Sequence, residues 1–220
     1  MALSGAPTRE LSSGYQATTR VVATPFGNVV VKTPHRGVLP GLWRYFLRRE
    51  GSIYKQLGGI AGIPRAYGLV DNEALVLEYI AGPSLRERDS RLTDRERFYA
   101  RLLDTIQSMH KAGVAHGDLK RKDNVIVGAG EQPYLIDFGI ACRRDPRGGV
   151  WNRWRFAMFV QLDLNAWLKL KYRRRVDPVA EPGVWSPADA ALYRPLMIEP
   201  LARAVRVSWR ILTLRSPRKR

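Results

Sequence analysis

Cysteine is almost missing from this chain. Cys142 is the only one in 220 residues, which excludes an internal disulfide framework. Three histidines beside that one cysteine leave too few soft ligands for an ordinary zinc site. Acid is scarce too: 20 Asp and Glu stand against 37 Lys and Arg, for a formal net charge of +17. That balance favours an anionic partner, whether nucleic acid, phosphorylated lipid or a nucleotide-rich site. No run approaches the roughly 18 consecutive apolar residues of a membrane-spanning helix. The opening "MALSGAPTRELSSG" lacks the basic start and apolar centre of a signal peptide. A cytoplasmic, reducing location is the expectation. Two glycine-rich phosphate signatures are also wanting, since G-x-x-x-x-G-K-[ST] occurs nowhere and no G-x-G-x-x-G precedes Lys32.

What is present suffices for a real core. Apolar residues make up 45% of the chain, and this length accommodates one substantial domain or two small lobes. Residues 19–33, "TRVVATPFGNVVVKT", predict two strands around a Pro-Phe-Gly-Asn turn. "GLWRYFLRREGSIYKQLGG" predicts a helix with Leu42, Phe46, Ile53 and Leu57 on one broad apolar face, although Gly51 inside it is unfavourable by about 1 kcal/mol. "RAYGLVDNEALVLEYI" predicts a second hairpin turning at Asp71-Asn72, and "AGPSL" a hinge-like connection. A long helix follows from Thr93, with Thr93 and Glu96 as a capping box, Phe98, Leu102, Ile106 and Met109 inward, and Gly113 as its stop. Strands first and helices after predict an α+β protein of two lobes. The division expected is a β-rich lobe over 1–80, a short helical lobe over 81–198 and a basic tail over 199–220.

Between two strand-like runs, "VAHGDLKRKDNVIV" crowds a His, an Asp, a Lys and an Asn into a few positions. A solvated turn is the plain explanation, because Asp and Asn favour turns. The surrounding order argues for more. A strand-borne Lys32 precedes a helix carrying Glu50, the only acid between Glu10 and Asp71, and "LIDFG" places Asp137 19 residues after Asp118.

This order, over roughly residues 20–165, resembles the protein-kinase-like superfamily. The resemblance implies ATP and Mg²⁺ as cofactors, and a role for each residue in positioning phosphates and neutralising their charge. Lys32 is the phosphate-binding lysine held by Glu50. Glu78 and Ile80, at the hinge, belong to the nucleotide site. Asp118 orients or deprotonates the acceptor hydroxyl, Lys120 neutralises the transferred phosphoryl group, and Asn124 and Asp137 hold the metal. Departures are equally informative. "HGD" replaces the familiar His-Arg-Asp. Asn124 follows Asp118 by six positions where five is common, so Asp123 and Asn124 both remain metal candidates, with Asn124 preferred for the "VIV" run behind it. "SSGYQATT" is the candidate cover for the phosphates, and no Ala-Pro-Glu segment follows Asp137.

"HGDLKRKDNVIV", "YLIDFGIA" and "VLEYIAGPSL" together resemble the bacterial lipopolysaccharide kinases that act on Kdo or heptose, and the chain is similar to RIO-type kinases in lacking Ala-Pro-Glu. That resemblance implies a phosphotransferase acting on a sugar hydroxyl of the lipopolysaccharide core or another phosphorylated glycolipid. "LDLNAWLKLKYRRR" resembles the helix after the Asp-Phe-Gly segment, in which Asp163 either braces the catalytic loop through its backbone or is a surface acid. The acceptor pocket is expected in irregular segments such as "CRRDPRGGVWNRW". Two alternatives stand beside this reading: a RIO-like Ser/Thr protein kinase and a nucleotide-binding regulatory pseudokinase. Residues 143–220 hold 18 basic and 6 acidic residues. In the tail, Arg203, Arg206 and Arg210 share one helical side while Leu201, Val205, Trp209 and Leu212 share the other, which suits an anionic membrane surface or a docked helix. Attachment to the cytoplasmic face of the inner membrane is the corresponding expectation. Nucleic acid has charge alone in its favour.

Overall fold

A computed structural model describes residues 8–13, 17–34, 40–173 and 185–194. The β-branched runs of the first third form strands β1 (Thr8–Ser13), β2 (Ala17–Thr24) and β3 (Gly27–Pro34). The β2–β3 hairpin turns at Pro25-Phe26, as its sequence predicts. β1 was not expected, because "TRELSS" has no apolar alternation. It gains its hydrogen bonds as an edge strand on β2. Helix α1 (Pro40–Gln56) then crosses to β4 (Ala66–Val70) and β5 (Ala74–Glu78). Asp71 and Asn72 turn that second hairpin at φ 50° and 55°, a left-handed pair whose twist matches the strands. The antiparallel sheet runs β1-β2-β3-β5-β4.

α1 corrects the expected face. Leu42 is 42% exposed and Phe46 only half-buried, while Leu47, Glu50, Ile53, Tyr54 and Leu57 are buried. Gly51 is explained by packing: a Cβ there would stand 3.0 Å from the Leu75 side chain, so the glycine lets α1 lie close on β5.

Past the hinge come α2 (Leu85–Arg88), a 3₁₀ turn (Asp89–Arg91) and α3 (Arg95–Lys111). Phe98, Leu102, Ile106 and Met109 are all buried, as their spacing demands, each contributing on the order of 1.5–3 kcal/mol by leaving water. The helix ends just before Gly113. Its start differs from the expected capping box. Asp94 is the N-cap and accepts from Arg97 N–H at 2.9 Å, while the Thr93 N–H is bound by Glu131 at 2.9 Å. A carboxylate from 38 residues away displaced the local Thr–Glu pair.

The remaining elements are β6 (Val114–Ala115), a 3₁₀ turn (Lys122–Asn124), β7 (Val125–Val127), β8 (Pro133–Leu135), β9 (Cys142–Arg143), α4 (Gly149–Tyr172) and α5 (Pro187–Ala190). β6 pairs with β9 and β7 with β8. The loop from β6 to β7 and the loop from β8 to β9 therefore emerge side by side, although 20 residues separate His116 from Ile136. "CRRDPRGGVWNRW" is less irregular than expected, since it opens in β9 and closes in the first turns of α4. A continuous core joins Tyr54, Leu75 and Leu77 to Phe98, Leu102 and Trp167. The architecture is α+β, with a small antiparallel sheet followed by a helical region. Among the described residues no helix is long and apolar enough to cross a membrane. The tail over 199–220 and the tip of "SSGYQATT" (14–16) lie outside the described residues.

Candidate active site

Lys32 stands on β3 opposite Thr19 of β2 and Leu75 of β5, so neighbours on both sides hold its strand. Its ammonium lies 2.6 Å from Glu50 Oε1 on α1 and 3.2 Å from Asp137 Oδ1. Burial disfavours the charged ammonium, but the two carboxylates outweigh it and raise the Lys32 pKa. Lys32 in turn holds the Asp137 carboxyl below the usual range against the opposing effect of burial. Burial raises the Glu50 carboxyl, and Lys32 opposes that shift.

α1 supplies more than Glu50. Tyr54, one turn on, accepts the Asp137 N–H on its hydroxyl at 3.1 Å, and Arg49 bonds the Gly139 and Ala141 carbonyls. Phe138, fully buried, packs edge-on against Tyr54 with ring centroids 4.9 Å apart and tilts against His116 at 4.8 Å. Asp137 itself holds φ at 67°, a conformation rare for a non-glycine residue and often found where function requires it.

In the β6–β7 loop, His116 Nε2 donates to Ile136 O at 3.0 Å, tying the two loops together. Asp163 of α4 is buried and accepts from His116 N–H at 2.7 Å, Gly117 N–H at 2.8 Å and the His110 ring at 3.0 Å. It is a brace, not a surface acid. Gly117 explains the departure "HGD". Its φ is 79°, and a Cβ there would stand 2.7 Å from the Phe159 ring.

Asp118 is partly buried, which raises its carboxyl pKa, while Arg121 at 3.7 Å and His116 oppose that shift. Asn124 is buried and donates through Nδ2 to Asp118 O at 3.1 Å, with Asp118 Oδ2 at 3.4 Å. The amide's donor side is thereby engaged, and an oxygen is what it retains for a cation. Asp123 is exposed and bound by Arg86 at 2.7 Å. The Lys122–Asn124 turn brings Asn124, and not Asp123, against Asp118. Lys120 is exposed just beyond the buried Leu119. The Glu78 carboxylate accepts from Arg65 N–H at 3.0 Å and its own N–H donates to Arg65 O at 2.8 Å, and Ile80 follows half-buried at the hinge.

The donor set fits Mg²⁺, a hard cation that prefers one or two carboxylates plus phosphate oxygens and water over an all-protein cage. Asp137 and Asn124 supply oxygen only. No group of three or more His, Cys, Asp or Glu that could hold a metal is found among the described residues.

A further residue escaped the sequence reading. Buried Asp89 accepts from Lys122 Nζ at 2.8 Å, Tyr99 OH at 3.2 Å and Arg95, with Arg173 Nε at 3.3 Å. Arg95 also bonds the Leu170 and Lys171 carbonyls at 2.8 and 2.7 Å. The turn carrying Asn124 is thus tied to α3 and the end of α4. Periodicity does not reveal this, because the partners come from three segments: Arg95 and Tyr99 on α3, Lys122 in the turn and Arg173 after α4. Tyr54 was more accessible, lying four positions after Glu50 on the same helical face.

A sheet-borne lysine paired to a helical glutamate, above a loop Asp and an Asp-Phe-Gly segment, defines a protein-kinase-like phosphotransferase fold. The chain belongs to the phosphotransferase enzyme family (APH), which matches residues 50–164. It is similar to serine/threonine-protein kinase D of Synechocystis sp., at 32% identity over 41% of this chain and 19% of that protein. Smooth-muscle myosin light chain kinase of Gallus gallus is 35% identical over 36% of this chain and 4% of its own length. Maternal embryonic leucine zipper kinase of Xenopus laevis is 33% identical over 34% of this chain. The matched segment spans 12% of this last protein and under a fifth of each of these relatives.

Proposed function

We propose that this protein transfers the γ-phosphoryl group of ATP to an alcohol, and that the acceptor is an inner-core sugar of lipopolysaccharide, heptose or Kdo. The observation that carries the transfer is the joint placement of Lys32 between Glu50 and Asp137, with Asp118 held against Asn124. Lys32 holds the α/β-phosphates. Asp118 orients the acceptor hydroxyl and takes its proton as the new O–P bond forms and the bond to ADP breaks. Its raised pKa suits a base, since proton transfer is most effective when the carboxyl is less acidic than usual. Lys120 neutralises charge on the group in transit. Asn124 and Asp137 would hold Mg²⁺, which supplies charge neutralisation on the phosphates.

The sugar acceptor is supported by the resemblance of "HGDLKRKDNVIV" and "VLEYIAGPSL" to lipopolysaccharide kinases, and by a charge of +17 that complements a phosphorylated glycolipid. Mass spectrometry of lipopolysaccharide core from cells with and without the gene tests it. One phosphate fewer is expected without the gene; an unchanged core overturns the acceptor. A second reading, Ser/Thr protein kinase, draws on the protein kinases to which residues of this chain are similar. It requires phosphoprotein and an unaltered core in the same comparison.

A further inference from the structure

Beside the site, the first two turns of α4 break two ordinary rules at once. Trp151 is 82% exposed, Val150 72% and Trp154 48%, and Ile140 of the Asp-Phe-Gly segment is 47% exposed. Tryptophan normally hides most of its large apolar ring, and exposed apolar patches mark contact surfaces. Trp151 and Trp154 lie three positions apart on one face, with ring centroids 6.0 Å apart. Helix N-termini normally attract acid, because the backbone dipole is positive there. This one has no acidic residue in its first turn and no side-chain cap. Arg144, Arg147 and Arg153 stand around it, all exposed, and Asp145 is the single acid from 143 to 162. Exposed indole, exposed aliphatic and uncompensated positive charge coincide on one helix end.

We infer that the Gly149–Arg155 end of α4 is a docking surface for an anionic lipid bilayer, with Trp151, Trp154 and Val150 entering the interface and the arginines meeting lipid phosphates. Indole suits the headgroup boundary because its body is apolar and its N–H polar. Nucleic acid fits less well. The two rings meet edge to face at 84°, so they cannot stack successive bases in parallel, and Val150 offers nothing to a base. The position serves the site. Phe159 touches the Gly117 position of the catalytic loop, and Trp151 lies eight residues before it, about 12 Å along the helix. A bilayer held there would lie at the end of the helix that packs on the catalytic loop. This surface lies outside residues 199–220 in sequence and does not rest on the transfer reading.

The test is sedimentation of the full chain with vesicles of phosphatidylcholine alone and of phosphatidylcholine with phosphatidylglycerol. Wild type should pellet with the anionic vesicles, and Trp151→Ala/Trp154→Ala should lower its partition at least tenfold with an unchanged thermal unfolding curve. Arg144→Glu/Arg147→Glu/Arg153→Glu should lower it as much at low salt and leave little salt dependence. Wild-type partition retained by either variant overturns the surface. So does loss of RNA binding by these variants in a protein that ignores vesicles. Phosphotransfer is not read in this assay, so its failure leaves the proposed reaction untouched, and a dead Asp118 variant that still binds vesicles would separate the two.

Discussion

Asp89 and Lys122 meet at 2.8 Å, 33 residues apart, and so fasten the turn that carries Asn124 to the segment behind the hinge. Burial alone would raise the Asp89 carboxyl, but Lys122 and Arg95 hold it below the usual range. Its contribution to stability is therefore complete above the unfolded value, about 3.9, and is lost as pH falls through the lower folded value. Asp89→Ala leaves Arg95 and Lys122 facing a buried void and should cost on the order of 3–5 kcal/mol. Lys122→Met should cost no more than about 1 kcal/mol, because that side chain is partly solvated. It should nevertheless lower kcat by loosening Asn124. Urea unfolding and steady-state rates measured on both variants check this; a Lys122→Met enzyme of full kcat would remove the positioning role.

Asp118→Asn should abolish transfer while ATP binding persists, since a general base contributes roughly 10²–10⁴-fold and acts on the acceptor. The acidic limb of the rate profile should lie above the ordinary carboxylate range, because the base form appears only as pH rises through a raised pKa. Arg121 opposes that shift, so Arg121→Ala should move the limb to higher pH. A limb unmoved by Arg121→Ala would separate Asp118 from the titration.

Asn124→Ala and Asp123→Ala should behave differently, although both were candidates by spacing. Asn124 is buried beside Asp118, and its loss should weaken the Mg²⁺ dependence of nucleotide binding. Asp123 pairs with Arg86 in solvent, so its loss should change little. Asp137→Ala should remove the Mg²⁺ dependence altogether. Nucleotide titrations with and without Mg²⁺ decide among them, and an Asp123→Ala phenotype stronger than Asn124→Ala would reverse the assignment.

Glu50→Gln should raise KM for ATP at least tenfold, because Lys32 would turn fully to Asp137 and draw that carboxylate from the metal. Fluorescent-nucleotide binding measures this; wild-type affinity in the variant would show that Lys32 does not need its partner.

How much of this was legible beforehand follows the range of the interactions. Local physics determined the hairpin at Asp71-Asn72, whose side chains tolerate left-handed backbone, and the buried stripe of α3, whose three-and-four spacing admits no other face. The order of Lys32, Glu50, Asp118 and Asp137 was likewise readable, since it resembles that of the protein-kinase-like superfamily, and the fold agrees. Tertiary structure alone decided the rest. The burial of Asn124 beside Asp118, with Asp123 left in solvent, depends on where Arg86 and Asp118 lie, and the N-cap of α3 on Glu131 arriving from another loop. The Asp89 network draws four donors from three separate segments. β1 exists because β2 offers an edge to a polar strand that could not hold itself. Periodicity and turn chemistry act over a few residues, whereas buried charges are settled by whichever partners the closed chain brings within hydrogen-bond reach.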